Sequence, residues 1–309
     1  MADIAQDAQI SPDDTAIAGA SKLFFHLWNA AWQHGEGTTN GDADALHDMR
    51  VGLRRLRTAM SNFEGSKDEP LFSKSLRLEI RGAQRDIGKL GDKLGAVRDF
   101  DVLQGYVRDY AQKQLKTPLE ASPGLAEMLE GLQNERDAAF KPMTKTLKRA
   151  QKEDGLREEF GRWALGIPAA KAAAISYADA AKIILPQRIE EVFSHENSLH
   201  EEAHPEEKHE LRKSLRRLRY TLETLSVCFP KPIKPMVKKL VEMQDVLGEM
   251  QDREVLKTAT ERLFGDKVPA DVVEFNAHGT RREEELLGEV RGLWKKAEAG
   301  RLWLDLRAL

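Results

Sequence analysis

Two stretches decide how this chain folds. The first is His47-Asp48-Met49-Arg50-Val51-Gly52-Leu53-Arg54-Arg55-Leu56-Arg57. The second, 162 residues later, is His209-Glu210-Leu211-Arg212-Lys213-Ser214-Leu215-Arg216-Arg217-Leu218-Arg219. Every His, Arg and Leu of the first is matched in the second. On a helix that advances about 100° per residue, Leu46, Met49, Leu53, Leu56, Met60 and Phe63 share one apolar face. His47, Arg50, Arg54 and Arg57 form a stripe immediately beside that face. Leu211, Leu215, Leu218, Leu222 and Leu225 repeat the apolar face, and His209, Arg212, Arg216 and Arg219 repeat the stripe. Arg55 and Arg217 point elsewhere. A solvated basic face would lie opposite the core; a stripe that borders the core lines a groove between helices. Like charges at i,i+4 spacing also repel one another, so helix stability alone does not account for them. Arginine's planar fork matches phosphate oxygens bidentately, which makes a phosphate-bearing anion the ligand this pattern favours.

A second block repeats in the same order. Leu94-Gly95-Ala96-Val97-Arg98-Asp99-Phe100-Asp101-Val102-Leu103 aligns with Leu247-Gly248-Glu249-Met250-Gln251-Asp252-Arg253-Glu254-Val255-Leu256 at an offset of 153. Two blocks in one order make each half of the chain a copy of one unit. The nine-residue difference between the offsets is expected in the turn containing Gly65 to Pro70. Between the blocks, Lys74, Arg77, Arg81 and Arg85 recur every three or four residues, with Lys89 and Lys93 continuing the row. Arg81 and Arg85 map onto Lys234 and Lys238, and these four are expected on the opposite wall of the groove.

Around these blocks the chain reads as helix throughout. Ala, Leu, Glu, Lys and Arg dominate, aromatics make up 6%, and β-branched runs are scarce. Residues 1–14 read as a disordered acidic tail, 15–165 as the first helical repeat and 170–300 as the second, with Gly166-Ile167-Pro168 opening the connection. Helices are expected over about 15–34, 44–63, 71–116 and 124–150, then about 176–202, 206–229, 232–264 and 270–298. Gly35 to Gly41 reads as a loop, Pro142 as a bend, and Gly88 to Gly95 as a kink or a close backbone approach. Four helices joined by short turns in each half is the pattern of paired antiparallel bundles.

The 309 residues carry a net charge of only −3, which by itself argues against a polyanionic partner. The distribution argues the other way. Residues 46–57 hold a local +3 and residues 209–219 a local +4, while acid gathers in Glu201, Glu202, Glu206 and Glu207 and in Glu283 to Glu285. The single cysteine, Cys228, lies in an apolar run and reads as a core thiol. No apolar run approaches the ~20 residues that span a membrane. The first residues carry Asp3, Asp7, Asp13 and Asp14 and no Lys or Arg before Lys22, unlike a signal peptide. A cytoplasmic protein is expected.

The double His-x-x-Arg-x-x-x-Arg-Arg-x-Arg element and the Leu-Gly-x-x-Arg-Asp-x-Asp-Val block resemble the CHAD family, the conserved-histidine α-helical domain, over about residues 15–300. The resemblance implies an all-α fold of two pseudo-symmetric four-helix bundles around a basic central channel. It also implies binding of inorganic polyphosphate and, in some members, association with polyphosphate granules. Carried over by motif, the ligand-facing set is His47, Arg50, Arg54 and Arg57 with His209, Arg212, Arg216 and Arg219. Arg98 adds a phosphate contact that Gln251, its counterpart, cannot make. Asp99, Asp101 and Asp252 are expected to orient nearby cations.

Other chemistries fit less well. His200 and His204 have i,i+4 spacing, but Pro205 interrupts the helix a metal pair needs, and no metal or cofactor is expected. No glycine-rich phosphate loop ends in Lys-Ser/Thr, and no Glu-x-Glu-x-Lys signature or Ser/His/Asp set is present, so a binding module rather than an enzyme is expected. Nucleic acid is the alternative ligand for the same arginine groove. Against it, the stripes lack interleaved aromatics for base stacking, Tyr220 alone adjoining one.

Overall fold

A computed structural model describes residues 4–65, 71–116, 118–167, 175–200, 203–230 and 232–309. Among these residues there are twelve α-helices and no strand, so the protein is all-α. The helices are α1 (Ile4–Asp7), α2 (Ala16–Trp32), α3 (Gly35–Thr39), α4 (Ala43–Glu64), α5 (Lys74–Tyr110) and α6 (Pro123–Ala150). They continue with α7 (Leu156–Gly166), α8 (Tyr177–Phe193), α9 (Pro205–Thr224), α10 (Lys234–Phe264), α11 (Ala270–Ala299) and α12 (Leu302–Arg307). Their starts follow local chemistry. Thr15, Asp42, Ser73 and Ser176 cap α2, α4, α5 and α8 with side-chain oxygens. Pro205 opens α9, and the His204 amide donates to Glu207 Oε2 at 2.9 Å, giving that histidine a capping position.

The two halves make the same sequence of contacts. In the first, α2 packs on α4, α4 on α5, α5 on α6, and α7 closes against α2 and α6. In the second, α8 packs on α9, α9 on α10, α10 on α11, and α12 closes against α8 and α11. Each half has its own apolar core: Leu46, Met49, Leu53, Leu56, Met60 and Phe63 are buried in one, and Leu211, Leu215, Leu218 and Leu222 in the other. A third core belongs to both. The far ends of α5 and α6 (Leu103, Val107, Tyr110, Leu125, Met128, Leu132) pack against those of α10 and α11 (Leu256, Ala259, Val272, Phe275).

At the opposite end Tyr177, Ala181, Ile184 and Leu225 of the second half join the first core, and backbone and polar contacts flank them. The residues preceding α2 and α8 pair, with Tyr177 N donating to Asp14 O at 2.7 Å and Ala16 N to Ile175 O at 2.9 Å. Next to this pairing, Asn62 of α4 donates to the Thr221 hydroxyl of α9 at 3.0 Å. Arg188 of α8 donates to Asn62 Oδ1 at 2.8 Å and to Ser61 Oγ at 2.9 Å.

Several expectations need correction. Residues 4–14 are not a disordered tail: Ile4, Ala5, Ala8 and Ile10 are buried, and Asp14 pairs with Lys22 at 2.7 Å. The apolar residues between the aspartates have a ready surface on α9 and α2. Gly35–Thr39 forms a short helix instead of a loop, held by Thr38 and Thr39 hydroxyls donating to His34 O and Gly35 O. The helix expected over 176–202 ends at Phe193, and α7 and α12 each add a further helix to their half. The extra nine residues also lie elsewhere. Lys234, the first residue of α10, corresponds to Arg81, so most of the difference is two additional N-terminal turns on α5. Part of the turn first assigned to it, residues 66–70, lies outside the described residues, as does the alanine-rich segment 168–174.

Candidate functional site

The helices α4 and α9 contact each other, as do α5 and α10, and this brings the two arginine stripes together. Arg54 and Arg216 stand at the centre, each partly buried. Burial weakens the charged form of Arg54, and Arg50, Arg212 and Arg219 add repulsion. Burial and then Arg54 pull the pKa of Arg216 down to about 9, which still leaves it charged at neutral pH. Among the described residues neither guanidinium has a carboxylate partner, and Arg54 Nε is enclosed without any partner. Clustered, desolvated cations of one sign are unfavourable unless an anion joins them.

Glycines in the second repeat block hold the outer arginines. The Arg50 guanidinium lies over Gly95, where an added Cβ would meet Nη2 at 3.3 Å; Arg212 lies over Gly248 with 3.2 Å. Arg57 rests over Gly88 more loosely, at 3.7 Å. The close approach expected near Gly88–Gly95 is therefore side chain against helix backbone. Arg50 also donates to Asp99 Oδ1 at 3.0 Å, so that aspartate orients a site cation as expected. Asp101 receives Arg136 of α6 instead. Asp252 faces Arg212 and Arg50, but burial, and then Asp99, raise its pKa.

The histidines stand at the outer ends of the stripes. Burial lowers the pKa of His47, and Arg98 and Arg54 lower it further. Burial and Lys213 lower that of His209, while a hydrogen bond with Gln251 works the other way. His209 Nδ1 is buried without a partner, and the residue lines a small cleft of about 60 Å³ with Pro205, Gln251 and Glu283.

The structure therefore brings together His47, Arg50, Arg54 and Arg98 with His209, Arg212, Arg216 and Arg219. The proposed opposite wall is not assembled in the same way. Arg81 turns to Glu64, and Lys89 pairs with Asp86 on its own helix at 2.7 Å. Arg85 folds back over Gly82, and Lys234 and Lys238 lie exposed on the first two turns of α10. Three side chains have partners that the sequence did not indicate. Tyr220 is buried with its hydroxyl unpartnered, between Arg219 (4.7 Å to the ring) and Arg55 (5.4 Å). Glu223, also buried, accepts from Arg55 across the halves at 3.2 Å and faces Arg219 at 3.7 Å. Arg217 pairs with Glu191 of α8. The signal available for Glu223 was its i+4 position from Arg219; nothing local marked Arg55 as its partner.

Fold and charge pattern together describe an all-helical protein in which arginines of two similar halves meet between α4 and α9. A family model for the CHAD domain matches residues 23–261, and the chain belongs to the CHAD domain family. Among solved structures it is similar to the CHAD domain from the plant Ricinus communis, with 21% identity and a TM-score of 0.64 over 97% of this chain and 94% of that one. It is also similar to PptA from Streptomyces chartreusis, with 14% identity and a TM-score of 0.63 over 92% of this chain and 100% of that one. At these identities the likeness is one of fold. No curated protein matches the chain. Among the described residues no helix is long and apolar enough to cross a membrane, and no group of three or more His, Cys, Asp or Glu could hold a metal ion.

Proposed function

We propose that this protein is a non-catalytic binding module for inorganic polyphosphate, held in the groove between α4, α5, α9 and α10. One observation carries the reading: Arg54 and Arg216, one from each half, sit side by side with no carboxylate among the described residues to balance them. A phosphate polymer offers evenly spaced anions to both stripes and relieves their mutual repulsion. Arg50 and Arg212, laid against Gly95 and Gly248, are preorganised to receive it. The expected setting is the cytoplasm, at polyphosphate granules.

The test is direct titration with polyphosphate at physiological salt, with DNA and RNA as competitors. Binding that nucleic acid displaces only weakly is the expected result. Log affinity should fall with log salt by about 0.7 per phosphate contacted, by analogy with single strands. Stronger binding of RNA or DNA than of polyphosphate would overturn the proposal.

A further inference from the structure

The function just proposed uses none of the cations on the second half of α6. The acids of that helix, Glu127, Glu130, Glu135 and Asp137, all precede Phe140, and every charged residue after it is basic. At about 100° per residue, Lys141, Lys145 and Lys148 lie within roughly 60° of one another along about 10 Å of helix, and Lys152 follows in the turn just past the helix end. All four are exposed, and among the described residues none is paired with a carboxylate. They border an open cleft of about 600 Å³ together with Phe140 and Thr144, whose buried hydroxyl has no partner. Attraction to the helix C-terminus covers only the last turn and leaves Lys141, two turns earlier, unexplained.

A chain of paired residues links the stripe to the groove. Arg50 holds Asp99; two residues on, Asp101 holds Arg136; and the Arg136 guanidinium lies 5.6 Å over the Phe140 ring at the head of the cleft. The Gly41 turn just before α4 rests on the same ring. We infer that the lysine stripe of α6 is a second contact track for the phosphate polymer, engaged when the chain extends out of the groove past α5. This inference rests on the polyphosphate reading of the groove. Residue choice separates the two parts. Arginine forks in the groove fix phosphates in place, whereas lysine ammonium groups on flexible stems follow a mobile strand. None of the exposed large apolar side chains lies on α6, so the face lacks what membrane insertion needs, and no exposed aromatic is present for base stacking.

The experiment compares two lengths of polyphosphate, one short enough for the groove alone and one several times longer. They are titrated against the intact protein, the Lys141→Gln/Lys145→Gln/Lys148→Gln/Lys152→Gln variant and the Arg54→Ala/Arg216→Ala variant. With the lysines removed, short-chain affinity should hold, long-chain affinity should fall about tenfold, and the long-chain salt slope should shrink by about three. The same four positions changed to arginine should restore the long-chain advantage. Unchanged long-chain affinity and slope in the glutamine variant would overturn the track. Failure of the groove reading looks different: short chains would not bind the intact protein, or would bind the Arg54/Arg216 variant equally well.

Discussion

The two copies of the arginine stripe are alike where they face each other and unlike at both ends. In the middle, Arg50 and Arg212 both lie over a glycine of the facing helix, and Arg54 and Arg216 share one unbalanced patch. Toward the seam the copies part. Arg57 rests over Gly88 in the open, whereas Arg219 is drawn in by Glu223 and Tyr220, where the first copy has Ser61 and Thr58. Toward the mouth, His47 has Arg98 beside it and His209 has Gln251. The centre is thus symmetric, while only the second copy is tied in at the seam and only the first has an arginine beside its histidine.

The largest expected effect tests that division. Replacing Arg54 and Arg216 by alanine should weaken polyphosphate binding by roughly 10² to 10⁴, from two charge-assisted contacts at about 1.5–3 kcal/mol each. The same positions changed to methionine should stabilise the free protein, because a desolvated, unbalanced cation is replaced by a side chain that packs. A thermal melt reads this directly, and a lower Tm would show that the pair supports the fold. Arg55 should behave in the opposite sense. Arg55→Ala leaves Glu223 buried with only Arg219 near it, and should cost about 1–2 kcal/mol of stability, discounted for partial exposure, with little direct loss of affinity. Arg217→Ala should cost less, because Glu191 keeps Arg188 at 2.9 Å. Denaturant titration would rank the two.

The mouth offers a smaller, pH-dependent test. Both histidine pKa values are held down in the free protein, so both rings are mostly neutral at pH 7. A bound polyanion favours the charged rings, so binding should take up protons and tighten as pH falls from about 8 to about 6. Uptake measured by calorimetry in several buffers should vanish in His47→Gln/His209→Gln. Uptake that survives would point to Asp252, whose raised pKa an anion would raise further. Arg98→Gln makes the first mouth like the second and should cost a few-fold in affinity; Gln251→Arg should return about as much. The smallest effect concerns the glycines. Alanine at Gly95 or Gly248 should add about 0.5–1 kcal/mol of helix stability while lowering affinity two- to fivefold by displacing Arg50 or Arg212. Gly88→Ala, with more room, should change affinity little.

Much of this was legible because it is periodic. Heptad-like apolar faces, a basic stripe beside each and a repeat in register specify long helices, two similar halves and the residues that meet between them. What was not legible depends on contacts between segments far apart in the chain. Ile4 and Ile10 look like a tail until a surface to cover them exists. Arg55 was placed off the stripe, correctly, but its reach to Glu223 crosses 168 residues. Arg81 and Lys89 fit the basic row on periodicity alone, yet Glu64 and Asp86 lie nearer than any groove. Periodicity says which way a side chain points and not what it finds there.

The shared distal core has a consequence for how the molecule comes apart. Because α5 and α10 each run from their own bundle into that common cluster, neither half can melt without stripping apolar surface from the other. Loosening at one end is transmitted along rigid helices to both sides of the groove. Denaturation should therefore proceed in one concerted step, with tryptophan emission from Trp28 and Trp32 in the first half and from Trp294 and Trp303 in the second changing at a single denaturant concentration.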